Sequence, residues 1–83
     1  MNLQKRMSTF PKKKKGKIVD YDNENLSMPT KIVEMGLLPG TVFVILNQAP
    51  FGGPLYVEFG SERSRIALRK EEAHYIWVEE LIA

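Results

Sequence analysis

Eighty-three residues with a formal net charge of +2 and 43% hydrophobic content make one domain at most, with a small core and little room for a substrate cavity. Cysteine is absent, which excludes a disulfide framework and any thiolate metal site. No apolar run approaches the roughly 18 residues of a spanning helix, and no apolar signal region follows the basic start, so the chain reads as a cytoplasmic protein.

The charge is uneven. Residues 1–20 carry seven Lys or Arg side chains against Asp20 alone, a balance of +6, while the rest of the chain carries five against nine, a balance of −4. A folded nucleic-acid binder is expected to spread its cations over one face. Here the folded part is acidic, so nucleic acid is not the expected partner. A small nucleic-acid-binding β-barrel, using the basic N-terminal segment with Tyr or Trp stacking, is the alternative. The run Lys12-Lys13-Lys14-Lys15 reads as a solvated lead-in. Phosphates or an anionic membrane surface are the other contacts such a run can make.

Residues 1–8 show no apolar period and read as a flexible segment ahead of a single domain, 9–83. Lys17-Ile18-Val19-Asp20-Tyr21 predicts a strand, and Asp22-Asn23-Glu24-Asn25 a polar turn. A helix is expected from about Ser27, with Ser27 as its cap and Pro29 in the first turn. Met28, Ile32 and Met35 then share one face. Gly36 ends the helix at C′, where a left-handed conformation costs it little, and Leu37 packs back on Ile32. Pro39-Gly40 suits the centre of a type II turn.

Val42 to Leu46 is apolar without alternation, which suggests a strand covered on both faces or one that bends sharply. The spacer Asn47 to Pro54 is too long for a two-residue hairpin turn and carries Phe51 at its tip. Leu55, Val57 and Phe59 alternate with Tyr56 and Glu58, giving a strand with one dry face. A charged turn, Gly60 to Ser64, leads to a second alternating strand with Ile66 and Leu68 inward. Lys70 to His74 has helix-forming residues for about one turn, and Ile76-Trp77-Val78 forms a last short strand. The sum is mainly β: a small SH3-like barrel of about five strands, with one short α-helix after the first strand and a helical turn before the last.

Catalytic constellations are missing. Ser61 and Ser64 have no histidine near them in sequence. Neighbouring carboxylates such as Glu71-Glu72 diverge on a helix or strand. No Gly-rich phosphate loop precedes a helix. The chain is therefore not expected to be an enzyme. His74 is the only histidine. With Glu71 or Glu58 it could hold Fe(II) or another divalent ion weakly, and no tight metal site and no cofactor are expected.

The stretches "KIVEMGLLPGTVFVILNQAPFGGPLYVEF" and "RIALRKEEAHYIWVE" resemble the FeoA-type ferrous iron transport protein A family. The shared pattern is carried by Met35-Gly36-Leu37, Pro39-Gly40, Ala49-Pro50-Phe51-Gly52-Gly53-Pro54-Leu55 and Ile66-Ala67-Leu68-Arg69-Lys70-Glu71-Glu72-Ala73. The likeness spans about residues 9–80. Two features depart from it: the longer, more charged Gly60–Arg65 turn and the Lys12–Lys15 run. The resemblance implies an SH3-like accessory protein of the cytoplasm that supports a membrane Fe(II) transporter with a GTPase domain. The partner would be the cytosolic part of that transporter, FeoB, with membrane contact only through it. The residues expected at the contact are Met35, Leu37, Ala49, Pro50, Phe51, Gly52, Gly53, Pro54 and Leu55. Phe51 is either an exposed anchor or a plug over the end of the barrel. The flanking Pro50 and Gly52-Gly53 favour the anchor.

Overall fold

A computed structural model describes residues 4–22 and 30–81. The chain runs β1 (Lys5–Arg6), a 3₁₀ turn (Met7–Thr9), β2 (Lys15–Tyr21), α1 (Lys31–Glu34), β3 (Val42–Gln48), β4 (Leu55–Phe59), β5 (Ser64–Leu68), α2 (Lys70–Ala73) and β6 (Ile76–Glu80). All pairings are antiparallel, and the strand order is β1-β6-β2-β3-β4-β5. Among the described residues the expected barrel thus has six strands rather than five. Its sheet curls without closing: β1 and β5 stand at the two ends of the order and do not pair with each other.

The inward residues alternate as period-2 burial requires. Ile18, Phe43, Ile45, Val57, Leu68 and Val78 all lie at 1% exposure or less. Val42 to Leu46 proves to alternate too. Phe43 and Ile45 are buried, while Val42 is exposed and Val44 and Leu46 are half-buried. The apolar outer face of this strand hid the alternation. The register slips between Ile45 and Asn47, an irregularity of the kind that lets a strand turn around a small core.

Of the segment 1–8, read as flexible, residues 5 to 8 take part in the fold as β1 and the start of the 3₁₀ turn. Lys5 and Arg6 pair with Val78 and Trp77 of β6. Met7 is fully buried. Arg6 lies over the Trp77 ring at 4.2 Å, and its Nη1 donates to Asp22 Oδ2 at 3.1 Å and to the His74 carbonyl at 2.7 Å. The partners lie up to 73 residues away in sequence, so no local pattern announces them.

Phe10 stacks against Phe43 with centroids 5.3 Å apart, and both rings close over Gly16. A Cβ on Gly16 would stand 2.7 Å from Phe43 Cζ and 3.0 Å from Phe10 Cε2. Glycine is needed there by close approach, not by backbone angle.

The exit of α1 follows its sequence signals. Gly36 has φ +93°. Its N–H donates to the Val33 carbonyl at 3.0 Å and the Leu37 N–H to the Ile32 carbonyl at 3.2 Å, the pair of bonds that defines a Schellman cap. Ile32 and Leu37 are both buried in the core. The Thr41 N–H donates to Leu38 at 3.0 Å across Pro39-Gly40, with Gly40 at φ +91°, as a type II turn demands. The helix start proposed at Ser27, with Met28 and Pro29, and the turn from Asn23 lie outside the described residues. The described helix begins at Lys31.

The single turn of α2 is held by Glu72. Its carboxylate accepts the Arg69 N–H at 2.8 Å, the reach-back half of a capping box, and pairs with Lys31 at 2.5 Å. One side chain therefore caps α2 and ties it to α1. Burial works against its charge, yet the Lys31 ammonium and the Arg69 N–H outweigh burial and hold the carboxyl below the usual carboxylate range.

Candidate functional site: the Ala49–Pro54 loop

β3 and β4 remain paired up to Gln48 opposite Leu55. Beyond that pair the Ala49 N–H donates to the Pro54 carbonyl at 2.9 Å. The Gly53 N–H reaches back to the carbonyls of Ala49, at 3.2 Å, and Pro50, at 3.3 Å. Gln48 Nε2 donates to the Gly53 carbonyl at 3.1 Å. Four hydrogen bonds thus set the shape of a six-residue loop. A Cβ on Gly53 would meet the Ala49 Cβ at 2.8 Å, so this position admits only glycine without a shift.

Phe51 sits at the tip with φ +62°, next to Gly52 at +70°. Two successive positive φ angles mark a primed turn. Glycine takes this conformation freely, whereas an aromatic residue pays on the order of 1–2 kcal/mol. The ring recovers no packing from the described residues, because Phe51 is 104% exposed. The plug is therefore excluded: the ring projects into solvent. Sequence reasoning found the aromatic but not its backbone angle. The Phe-Gly pair in place of the usual Asn-Gly was the available signal.

The other expected contact residues divide. Pro50 and Gly52 are exposed, and Ala49, Gly53 and Pro54 are half-buried beside them. Leu37 and Leu55 do not face a partner: at 0% and 2% exposure they are core residues. Leu37 is drawn inward by the helix cap and Leu55 by the inward phase of β4. Met35 is half-buried and packs against the core.

The three weak metal candidates do not converge on one point: Glu58 stands apart from Glu71 and His74. Glu58 receives Arg65 Nε at 3.0 Å on the outer face of β4 and β5. Glu71 and His74 line a separate shallow cleft with Ser8, Lys70 and Tyr75. Among the described residues no three His, Asp or Glu side chains converge as a metal site would need.

A small, antiparallel barrel-like sheet with one loop held away from its core defines the class: an SH3-like domain. The FeoA domain model matches residues 5–80, and the chain belongs to the FeoA domain family. A FeoA-like protein from Clostridium acetobutylicum is 30% identical, with a TM-score of 0.84 over 100% of this chain and 93% of that one. An iron uptake regulatory protein, FeoA, is 29% identical, with a TM-score of 0.76 over 95% of this chain and 99% of that one. FeoA of Stenotrophomonas maltophilia, an SH3 domain protein crystallised with zinc, is 24% identical, with a TM-score of 0.71 over 88% of this chain and 87% of that one. No helix among the described residues is long and apolar enough to cross a membrane.

Proposed function

We propose that this chain is a non-enzymatic accessory protein of ferrous iron uptake. It acts in the cytoplasm, and it docks on the cytosolic GTPase part of an FeoB-type membrane transporter through the Ala49–Pro54 loop. Family membership supports the iron-uptake role. The observation that carries the docking site is Phe51, fully exposed at φ +62°. Strain held at an exposed tip with no internal return is a sign of function.

The physics of docking fits such a loop. Pro50, Pro54 and the four hydrogen bonds limit its freedom, so less entropy is lost on binding. One exposed aromatic supplies the compact apolar anchor that dominates many interfaces. The protein needs no catalytic group in this role. It shifts its partner's cycle only if it binds one state of the transporter better than another. Iron is cargo of the transporter.

The test is calorimetric titration of the chain into the purified cytosolic part of the transporter, with and without guanine nucleotide. Saturable binding whose affinity depends on the nucleotide supports the proposal. Absence of binding in every nucleotide state overturns it.

A further inference from the structure

The run Lys12-Lys13-Lys14-Lys15 is not a loose tail. Lys13 turns the chain at φ +64°, and its N–H donates to the Ile45 carbonyl at 2.8 Å. The Lys15 carbonyl accepts the Leu81 N–H at 3.0 Å. The turn is thus fixed to β3 on one side and to the end of β6 on the other. All four lysines are exposed. Lys14 lies 4.0 Å from Glu80, and Lys17 lies 3.5 Å from Glu79. Lys12, Lys13 and Lys15 form no ion pair among the described residues.

The register gives the turn a definite place. Lys15 stands opposite Val44, and β3 runs on from there to Gln48 and the Phe51 loop. The lysine turn and that loop therefore leave the same end of the sheet. Lys12, Lys13, Lys14 and Lys15 place four cations there beside Glu79 and Glu80, while residues 21–83 as a whole carry five Lys or Arg against nine Asp or Glu.

We propose that this turn rests on the anionic headgroups of a lipid bilayer and so directs this end of the sheet toward the membrane. Contact of the chain with the membrane is then direct, not only through a partner. Lysine ammonium groups on flexible stems need no shape complementarity, which suits a fluid surface. A nucleic-acid strand is the less favoured occupant. Laid across the sheet it would meet Glu79 and Glu80 beside the turn, and the Trp77 face is already covered by Arg6. A bilayer touches only what protrudes. Each lysine near an anionic leaflet strengthens binding about fivefold, so three free ones give on the order of a hundredfold preference over neutral lipid. Such an attachment is weak and reversible by itself, but it orients a protein that a second contact holds nearby.

The experiment is vesicle flotation at low salt, without any transporter. It compares phosphatidylcholine vesicles with vesicles that also contain phosphatidylglycerol. Expected is partition at least tenfold higher onto the anionic vesicles, and its loss on adding salt. The triple variant Lys12→Gln, Lys13→Gln, Lys15→Gln should keep its melting temperature and lose that preference, and the Lys→Arg triple should retain it. Equal partition onto both vesicles, or wild-type partition by the Gln triple, overturns the proposal. So does tighter capture of a single-stranded oligonucleotide than of anionic vesicles at the same salt. The transporter titration above is unaffected by either result.

Discussion

Phe43 and Phe51 leave and enter the same stretch of chain, yet they do opposite things. Phe43 is 1% exposed and stacks on Phe10 over Gly16. Phe51 is 104% exposed. The first ring has its partners within the chain, 27 to 33 residues back in sequence. The second is held in a left-handed backbone by a hydrogen-bonded loop and has none among the described residues. A ring that stabilises its own fold is evidence about packing. A ring that costs stability and touches nothing at home is evidence about something outside.

The contrast can be broken from the buried side first. Phe43→Ala should destabilise the fold by about 3–5 kcal/mol, the range for a buried phenylalanine. Denaturant unfolding measures it. A loss below about 1 kcal/mol would mean that the ring pair contributes little and that exposure alone does not separate the two residues.

A smaller effect is expected where backbone angle matters and space does not. A Cβ on Gly36 would meet only Phe59 Cε2 at 3.6 Å, an ordinary contact. Its φ of +93° is the obstacle. Gly36→Val should cost more than about 1 kcal/mol, because a β-branched residue resists this region. A variant that melts at the wild-type temperature would show the cap to be dispensable.

Glu72 offers a pH-dependent counterpart. Its folded-state pKa is depressed, so the stability it contributes is present in full above its ordinary value of 4.5 and is lost as pH falls through the folded-state value. Glu72→Gln should cost about 1 kcal/mol at neutral pH, from the cap and the half-exposed Lys31 pair. The gap between the wild type and this variant should shrink as the medium is acidified below about pH 4.5. A gap that stays constant with pH would assign Glu72's role to shape instead of charge.

These cases also show what the sequence could disclose. The α1 cap and the Pro39-Gly40 turn were legible because each depends on a few adjacent residues whose backbone chemistry is nearly obligatory. The alternation of β4 and β5 was legible because Glu58 and Arg65 mark their outer faces with charge. That of β3 was not, because Val42, Val44 and Leu46 line its outer face. The N-terminal strand was hidden for another reason. Two residues make no period, and the burial of Met7 is decided by elements far along the chain. At the candidate site, the loop's length and its Pro and Gly content were visible. The direction of Phe51 was not, because plug and anchor share one composition. Leu37 and Leu55 were misplaced by their adjacency to the motif, since sequence proximity does not give the inward phase of a strand.

The smallest expected change in stability belongs to the most informative residue. Phe51→Ala removes a fully exposed ring, and surface substitutions usually fall within about ±0.5 kcal/mol. The direct test of the docking site is therefore a paired measurement on this one variant: its melting temperature, and its affinity for the cytosolic part of the transporter. The account predicts an unchanged or slightly higher melting temperature and binding weakened by roughly 1–2 kcal/mol or more, as for a hot-spot residue. A variant that keeps both its stability and its wild-type affinity would contradict it.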